Sequence, residues 1–174
     1  FGDVDSSGHF ALGDYPAQSN KPLYYLPLYL NYSYGFANNG KLWYPPQFHL
    51  GSGIMQILGN QRIIPMFIFY CLTSSAIVLT SYFLMRKLYG LYPAVLTAIF
   101  LIFSVRDYSA YLWGLWPERA TYAFVPVVIF CYHAYTNSFL NKKPKQIYIY
   151  VMMLLLASQF LVHPQGFFHS AAFI

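Results

Sequence analysis

The most constraining feature of this chain is one uninterrupted apolar stretch, Ile63 to Met85, in which 23 consecutive residues carry no formal charge. A helix of that length is about 34 Å long, which is enough to cross the hydrocarbon core of a bilayer. Arg62 precedes the stretch, and Arg86 and Lys87 follow it. The sequence therefore predicts a transmembrane helix over these residues.

Further apolar runs follow, each separated from the next by charged or helix-breaking residues. They cover residues 88–105, 120–140 and 147–162, and a last one begins at residue 166. We therefore predict an all-α polytopic integral membrane protein with four to five transmembrane helices. Because the chain begins at Phe1 and ends within an apolar run, we expect it to be a piece of a longer protein.

The composition agrees with this fold class, since 57% of the residues are hydrophobic and only 9% are charged, against roughly 25% charged in a soluble domain. The net charge of +5 comes from ten basic residues that are scattered along the chain. Because no face carries a basic stripe, we predict no nucleic-acid partner. Cys71 and Cys131 lie in apolar stretches and predict neither a disulfide nor a metal site.

The direction of the spans follows from the short loops, because Lys and Arg concentrate on the cytoplasmic side of a membrane. The turn at Arg86-Lys87 and the turn from Lys142 to Lys145 contain basic residues and no acid, which places both in the cytoplasm. The loop from Ser104 to Arg119 has balanced charges and faces outward, as do residues 1–62 and His163. All five acidic residues then lie on the outer side. The predicted location is the plasma membrane of a prokaryote or the endoplasmic reticulum, with residues 1–62 extracytoplasmic.

We interpret residues 1–62 as an extracytoplasmic loop that contains one amphipathic helix at about residues 46–58. Pro46 suits the start of that helix, and Gly59 and Asn60 suit its end. On a helical wheel the apolar and polar residues separate into two halves. The apolar half holds Phe48, Leu50, Ile54, Met55, Ile57 and Leu58, and the polar half holds His49, Ser52, Gly53 and Gln56. We predict that this helix lies flat on the bilayer surface.

Two acidic residues of the first loop, Asp3 and Asp5, form an Asp-Val-Asp triplet that is followed by His9. Sugar transfer needs a carboxylate that takes the proton of the acceptor, together with cationic or metal help for the departing phosphate. Asp3 and Asp5 are therefore candidate catalytic residues. In an irregular loop they can also share a divalent cation such as Mg or Mn with His9. The plain alternative is that both acids are solvated and that Asp5 begins a helix as its N-cap.

Six polar residues on the same predicted side of the membrane are candidates for substrate binding. They are His9, His49, Arg106, Glu118, Arg119 and His163. Arg106 and Arg119, with Arg62, are candidates to stabilise a departing phosphate. Three of them have a structural alternative. Glu118 and Arg119 can form a local ion pair at a helix start, and His163 can be an interfacial residue at a helix end.

The order of these features resembles the first part of a GT-C membrane glycosyltransferase. The resemblance rests on the acidic triplet with His9, the Tyr44 to His49 helix start, Arg62 before a span, and the basic turn from Arg86 to Gly90. Leu115 to Arg119 and Val162 to Pro164 are similar to features of prokaryotic members.

The resemblance implies transfer of a sugar from a polyprenyl-phosphate carrier to an acceptor on the extracytoplasmic face. An acid of the first outer loop then acts as general base or cation ligand, and by position it maps onto Asp3 or Asp5. The implied partners are the lipid bilayer and a lipid-linked sugar donor, and the piece alone is expected to be inactive.

A non-catalytic function stays open beside the enzyme. The chain can instead belong to a transporter or to a structural subunit of a membrane complex, in which the same acids are surface groups. A transporter is expected to carry ionisable residues deep within its spans, and no acid falls in the middle of a predicted span. A protein that has kept the fold and lost the activity is not distinguished from an enzyme by sequence.

Overall fold

A computed structural model describes residues 4–19, 45–105, 109 and 112–174, and for residues 4–7 it describes the backbone alone. All regular elements of the described residues are helices, so the predicted all-α class is confirmed. In chain order they are α1 (Val4–Ser19), α2 (Gln47–Gly59), α3 (Ile64–Tyr89), α4 (Leu91–Ile102), α5 (Trp116–Tyr122), α6 (Val125–Leu140), α7 (Ile147–Val162) and α8 (Pro164–Ala171).

Two helical stretches are long and apolar enough to cross a membrane, which is fewer than the four to five predicted. One is α3, with 26 residues, and the other is the 25-residue stretch Trp116–Leu140, which comprises α5 and α6 with a turn at Ala123 and Phe124. The predicted spans at 63–85 and 120–140 correspond to them. The described helices α4 and α7 have 12 and 16 residues. At 1.5 Å per residue they are about 18 and 24 Å long, shorter than the roughly 30 Å hydrocarbon core.

The second predicted span, 88–105, is shorter than expected because glycine ends the preceding helix inside it. Arg86 and Lys87 occupy the last turn of α3, where cations interact favourably with the helix dipole. Gly90 has a φ of 96°, a conformation that residues with a Cβ rarely adopt. The chain reverses there, so α4 starts at Leu91 and packs back along α3.

Helix α2 matches the predicted amphipathic helix to within one residue at each end. Asn60 adopts a left-handed conformation and caps the helix through its N–H on the carbonyls of Gln56 and Ile57. Apart from Phe48, which is buried against α3, the burial of its two faces is the reverse of that in a soluble protein. The polar residues His49, Ser52, Gly53 and Gln56 are buried, whereas Leu50, Ile54, Ile57 and Leu58 are exposed. An outward apolar face is what a helix lying against lipid requires.

Helix α1 was not predicted, because Gly8, Gly13 and Pro16 lower the helix propensity of this segment. It packs parallel to α2, since His9 contacts His49 and Gly13 lies against Ser52. A Cβ on Gly13 would lie 2.0 Å from the Ser52 Oγ, and one on Gly53 would lie 2.9 Å from the Gly13 carbonyl oxygen. The same glycines that lower the helix propensity of the sequence therefore permit the close contact of α1 with α2.

Aromatic side chains join these helices to the long ones. The buried Tyr70 ring of α3 stacks on Trp116 at 4.2 Å between centroids and on Phe48 of α2 at 5.4 Å. Toward the C-terminal end of α3, the Phe83 ring contacts the Phe130 ring of α6. The order of these contacts shows that α3 runs parallel to α5 and α6. The helix pair α1–α2 consequently lies beside the start of both long stretches.

Candidate functional site

The candidate site is built around three histidines from distant segments, His9 on α1, His49 on α2 and His163 between α7 and α8. We call them the histidine cluster. The His9 Nδ1 and the His49 Nε2 are 2.8 Å apart, and both side chains are buried. Since one nitrogen must donate and the other accept, the pair shares a single proton between the two rings. Three of the candidate substrate-binding residues therefore lie close together, and their role in binding stays a prediction.

Burial and mutual repulsion keep this cluster uncharged. Burial, and then the nearby His163, lower the pKa of His9 to about 4. Burial, and then His9, hold the pKa of His49 well below its usual value. Burial also lowers the pKa of His163, against which Glu118 acts in the opposite direction. The cluster therefore offers neutral imidazoles, whose ring nitrogens can donate or accept hydrogen bonds.

Trp116 closes one side of the histidine cluster. Its ring centroid lies 6.3 Å from that of His9, and its ring also stacks on Tyr70. Trp116 begins α5, which also carries Glu118 and Arg119. The start of α5 and His163, between α7 and α8, thus lie close to the contact between α1 and α2.

Glu118 and Arg119, adjacent in sequence, have different surroundings. Glu118 accepts a hydrogen bond from the Tyr122 hydroxyl. It also lies near enough to His163 to oppose the lowering of the His163 pKa by burial. Arg119 is 6% exposed, and its Nη2 donates to the carbonyl of Ser74 at 3.3 Å. It lines a separate cavity of about 450 Å³, together with Tyr122, His169, Ser81 and Ser104.

The candidate catalytic acids lie mostly outside the described residues, as does Arg106. Asp3 is not described, and Asp5 is described only by its backbone, which is helical and one turn before His9 in α1. The expectation of an irregular loop at Asp5 is therefore wrong. Among the described residues, no group of three or more His, Cys, Asp or Glu could hold a metal ion. The Mg or Mn site at Asp3 and Asp5 stays a prediction.

Asp14 has a structural role that the sequence analysis did not identify. The Arg62 Nε donates to the Asp14 Oδ1 at 2.9 Å, and the Arg62 Nη2 donates to the Oδ2. The Gln56 Nε2 also donates to the Oδ1, at 3.1 Å. These bonds fix the C-terminal half of α1 onto α2 and onto the segment that leads into α3. No local signal in the sequence indicated them, because Asp14 lies 42 residues from Gln56 and 48 from Arg62.

Comparisons with protein-family models, curated proteins and solved structures found no match to this chain.

The function is therefore argued from the chemistry of the site. Its first testable property is a pH dependence. Because the pKa of His9 is lower in the folded protein than its usual 6.5, the folded state resists protonation there. The free energy of unfolding is expected to be highest above pH 6.5 and to fall by roughly 3 kcal/mol as the pH drops to about 4. Chemical unfolding in detergent at pH 7.5, 6 and 4.5 measures this change.

The variant His49→Gln is expected to change the slope of stability against pH, since it removes the second ring of the pair. His133→Gln is the matched control, because the His133 side chain is exposed on α6. An unfolding midpoint that is the same at pH 7.5 and pH 4.5 would contradict the buried, neutral histidine cluster.

Proposed function

We propose that this chain belongs to a membrane glycosyltransferase of the GT-C type, which transfers a sugar from a polyprenyl-phosphate carrier to an acceptor on the extracytoplasmic face. The observation that carries the proposal is the position of α1. Its first turn contains Asp5, and His9 holds it against His49 of α2, beside Trp116 and His163. Residues from three other segments thus lie near one end of the helix that carries a candidate base.

The surface of the long helices supports the membrane part of the proposal. In the most apolar 18-residue window of each, only 11% of the residues of α3 and 17% of those of Trp116–Leu140 are buried. Leu72 and Leu79 of α3 are 62% and 73% exposed. In water such exposure would forfeit the hydrophobic stabilisation of these side chains, whereas lipid accommodates it.

We extend the proposal to α4 and α7 as further membrane-embedded helices. Their outward side chains are also apolar, with Phe100 at 73% and Leu154 at 67% exposed. Shorter helices can lie in a membrane by local thinning of the bilayer or by packing against longer neighbours. This arrangement keeps the four predicted segments in the membrane and places the Lys142 to Lys145 turn on the cytoplasmic side.

The proposed reaction assigns one set of residues to the acceptor and another to the anionic carrier. Asp5, or Asp3, takes the proton of the acceptor hydroxyl as that oxygen attacks the anomeric carbon, whose bond to the carrier phosphate breaks. The neutral histidine cluster orients polar groups of the substrates. Arg119 and His169, at the separate cavity, are placed to interact with the anionic carrier.

The test is a transfer assay on the full-length protein in proteoliposomes. Purified polyprenyl-phosphate carrying a radiolabelled hexose is supplied as donor, and the label is followed into a non-lipid product. Transfer above the rate of empty liposomes is the expected result. A folded, monodisperse protein that moves no label from any lipid-linked hexose would favour the non-catalytic membrane protein instead.

The same proteoliposomes test the predicted topology. In a background without Cys71 and Cys131, a cysteine at Gln18 on α1 and one at Lys143 in the basic turn are labelled with a membrane-impermeant maleimide. We expect the two positions to react from opposite sides of the bilayer. Reaction of both from one side would separate the acids from the proposed extracytoplasmic face and refute the site.

A further inference from the structure

Two cavities meet toward the C-terminal ends of α1 and α2, one with a mainly polar lining and one with a mainly apolar lining. One has a volume of about 390 Å³, and its lining includes Gln18, Gln56, Asn60, Gln61 and Arg62. The other, of about 510 Å³, is lined by Phe10, Asp14 and Tyr15 and again by Gln18 and Arg62. Because two residues line both, we treat them as one surface and call it the amide groove. Each cavity has the size of a small-ligand pocket.

The amide groove has no net charge among its described lining residues. Its two charged members, Asp14 and Arg62, neutralise each other through a two-pronged contact in which the Arg62 Nε lies 2.9 Å from the Asp14 Oδ1. An anionic or cationic ligand would therefore find no free counter-charge in the described lining. The groove suits a neutral, polar ligand.

The polar groups of the groove match hydroxyl groups. Gln18, Gln56, Asn60 and Gln61 each carry a side-chain amide, which both donates and accepts hydrogen bonds, as a hydroxyl does. Gln56 is the most informative of them. It is 3% exposed, and its Nε2 donates to the Asp14 Oδ1 at 3.1 Å and to the Arg62 carbonyl at 2.7 Å.

The Oε1 of the same Gln56 is buried and has no hydrogen-bond partner among the described residues. A buried acceptor without a donor is costly, so native structures rarely retain one unless a ligand or water supplies the donor. The second cavity adds the half-buried rings of Phe10 and Tyr15. Aromatic faces provide apolar surface for C–H groups, beside a polar handle in the case of tyrosine.

From these contacts we infer that the amide groove binds a neutral, hydroxyl-rich saccharide. Paired amides and an internally neutralised arginine meet its hydroxyls, and the two rings meet its C–H faces. If the proposed function holds, the groove binds a part of an extended acceptor remote from the base, because Asp5 lies about 20 Å along α1 from Gln18; only that role rests on the proposed function. Binding itself needs neither the lipid-linked donor nor Asp5.

The experiment measures binding to the full-length protein in lipid nanodiscs, with maltotriose as the neutral saccharide probe and triglycine, blocked as its N-acetyl amide, as the neutral peptide probe. Saturation-transfer NMR titrations give both affinities. Gln18→Ala and Gln61→Ala remove exposed amides and are expected to weaken maltotriose binding about tenfold each, the effect of losing one good hydrogen bond. Asn141→Ala is the matched control, because it removes an exposed amide just after α6.

Maltotriose binding that falls in both glutamine variants and is unchanged in Asn141→Ala supports the inference. Unchanged binding in both glutamine variants, no binding of maltotriose, or tighter binding of triglycine each overturns it. The two proposals fail separately. Sugar transfer without maltotriose binding would refute only the proposal that the groove binds a saccharide. Glutamine-dependent binding without transfer from any lipid-linked hexose would refute only the glycosyltransferase proposal.

Discussion

Replacing Asp5 by Asn in the full-length protein is expected to lower the rate of sugar transfer by about 10²- to 10⁴-fold, the usual contribution of a general base. Asparagine has nearly the same shape as aspartate but cannot take the proton of an attacking hydroxyl. Asp5 lies in the first turn of α1, where an asparagine is also compatible with a helix start. The steady-state transfer rate in proteoliposomes, at equal protein insertion, measures the effect.

Asp3→Asn is measured in parallel, because the two acids share the candidate role. A large loss in one variant alone identifies the base, and a loss in both indicates that the acids act together. Asp107→Asn is the matched control, since it removes an acid from a different predicted outer loop and no catalytic role is assigned to Asp107 itself. Full activity in both Asp3→Asn and Asp5→Asn would remove the catalytic assignment.

Gly166→Ala is expected to destabilise the protein by about 1–3 kcal/mol or more, the range for overpacked contacts. A Cβ at this position would lie 2.1 Å from the Thr121 Oγ1 and 2.3 Å from the Thr121 Cβ. Thr121 is fully buried, and its Oγ1 donates to the Glu118 carbonyl. Because a Cβ cannot move away by side-chain rotation, α8 must separate from α5, which also displaces His163.

The sign of this change is diagnostic, because alanine favours a helix over glycine by up to about 1 kcal/mol. A loss of stability in α8 therefore has to come from the contact with Thr121. The double variant Gly166→Ala with Thr121→Gly is the control, and it should recover part of the loss as a coupling between the two sites. Thermal unfolding in detergent measures Gly166→Ala, Thr121→Gly and the double variant. Equal or greater stability of Gly166→Ala than of the unchanged protein would show that α8 and α5 are not in close contact.

Much of the helical organisation was predictable from local patterns. The uncharged stretch from Ile63 to Met85 gave the position of α3, because the length of an apolar run and its flanking charges are read directly along the chain. The alternating faces of residues 46–58 gave α2 in the same way. The limit of this approach is shown by α1, whose glycines and proline argue against a helix until their contact with α2 is known.

The site was predictable as a set of residue types but not as an arrangement. His9, His49 and His163 were each candidates because the predicted topology placed them on one side of the membrane. Nothing in the sequence indicated that His9 and His49, forty residues apart, would share a hydrogen bond. The contact between Asp14 and Arg62 was hidden for the same reason.

The amino-acid sequence by itself determined that this protein is helical, where its longest apolar helices lie and which side chains are available for chemistry. Those properties depend on composition and on short-range periodicity. The tertiary structure decided which face of α2 is buried, that α1 is a helix and that three histidines form one cluster. Such contacts join residues far apart in the chain and depend on shape, such as the fit of Gly13 against Ser52, which no local pattern encodes.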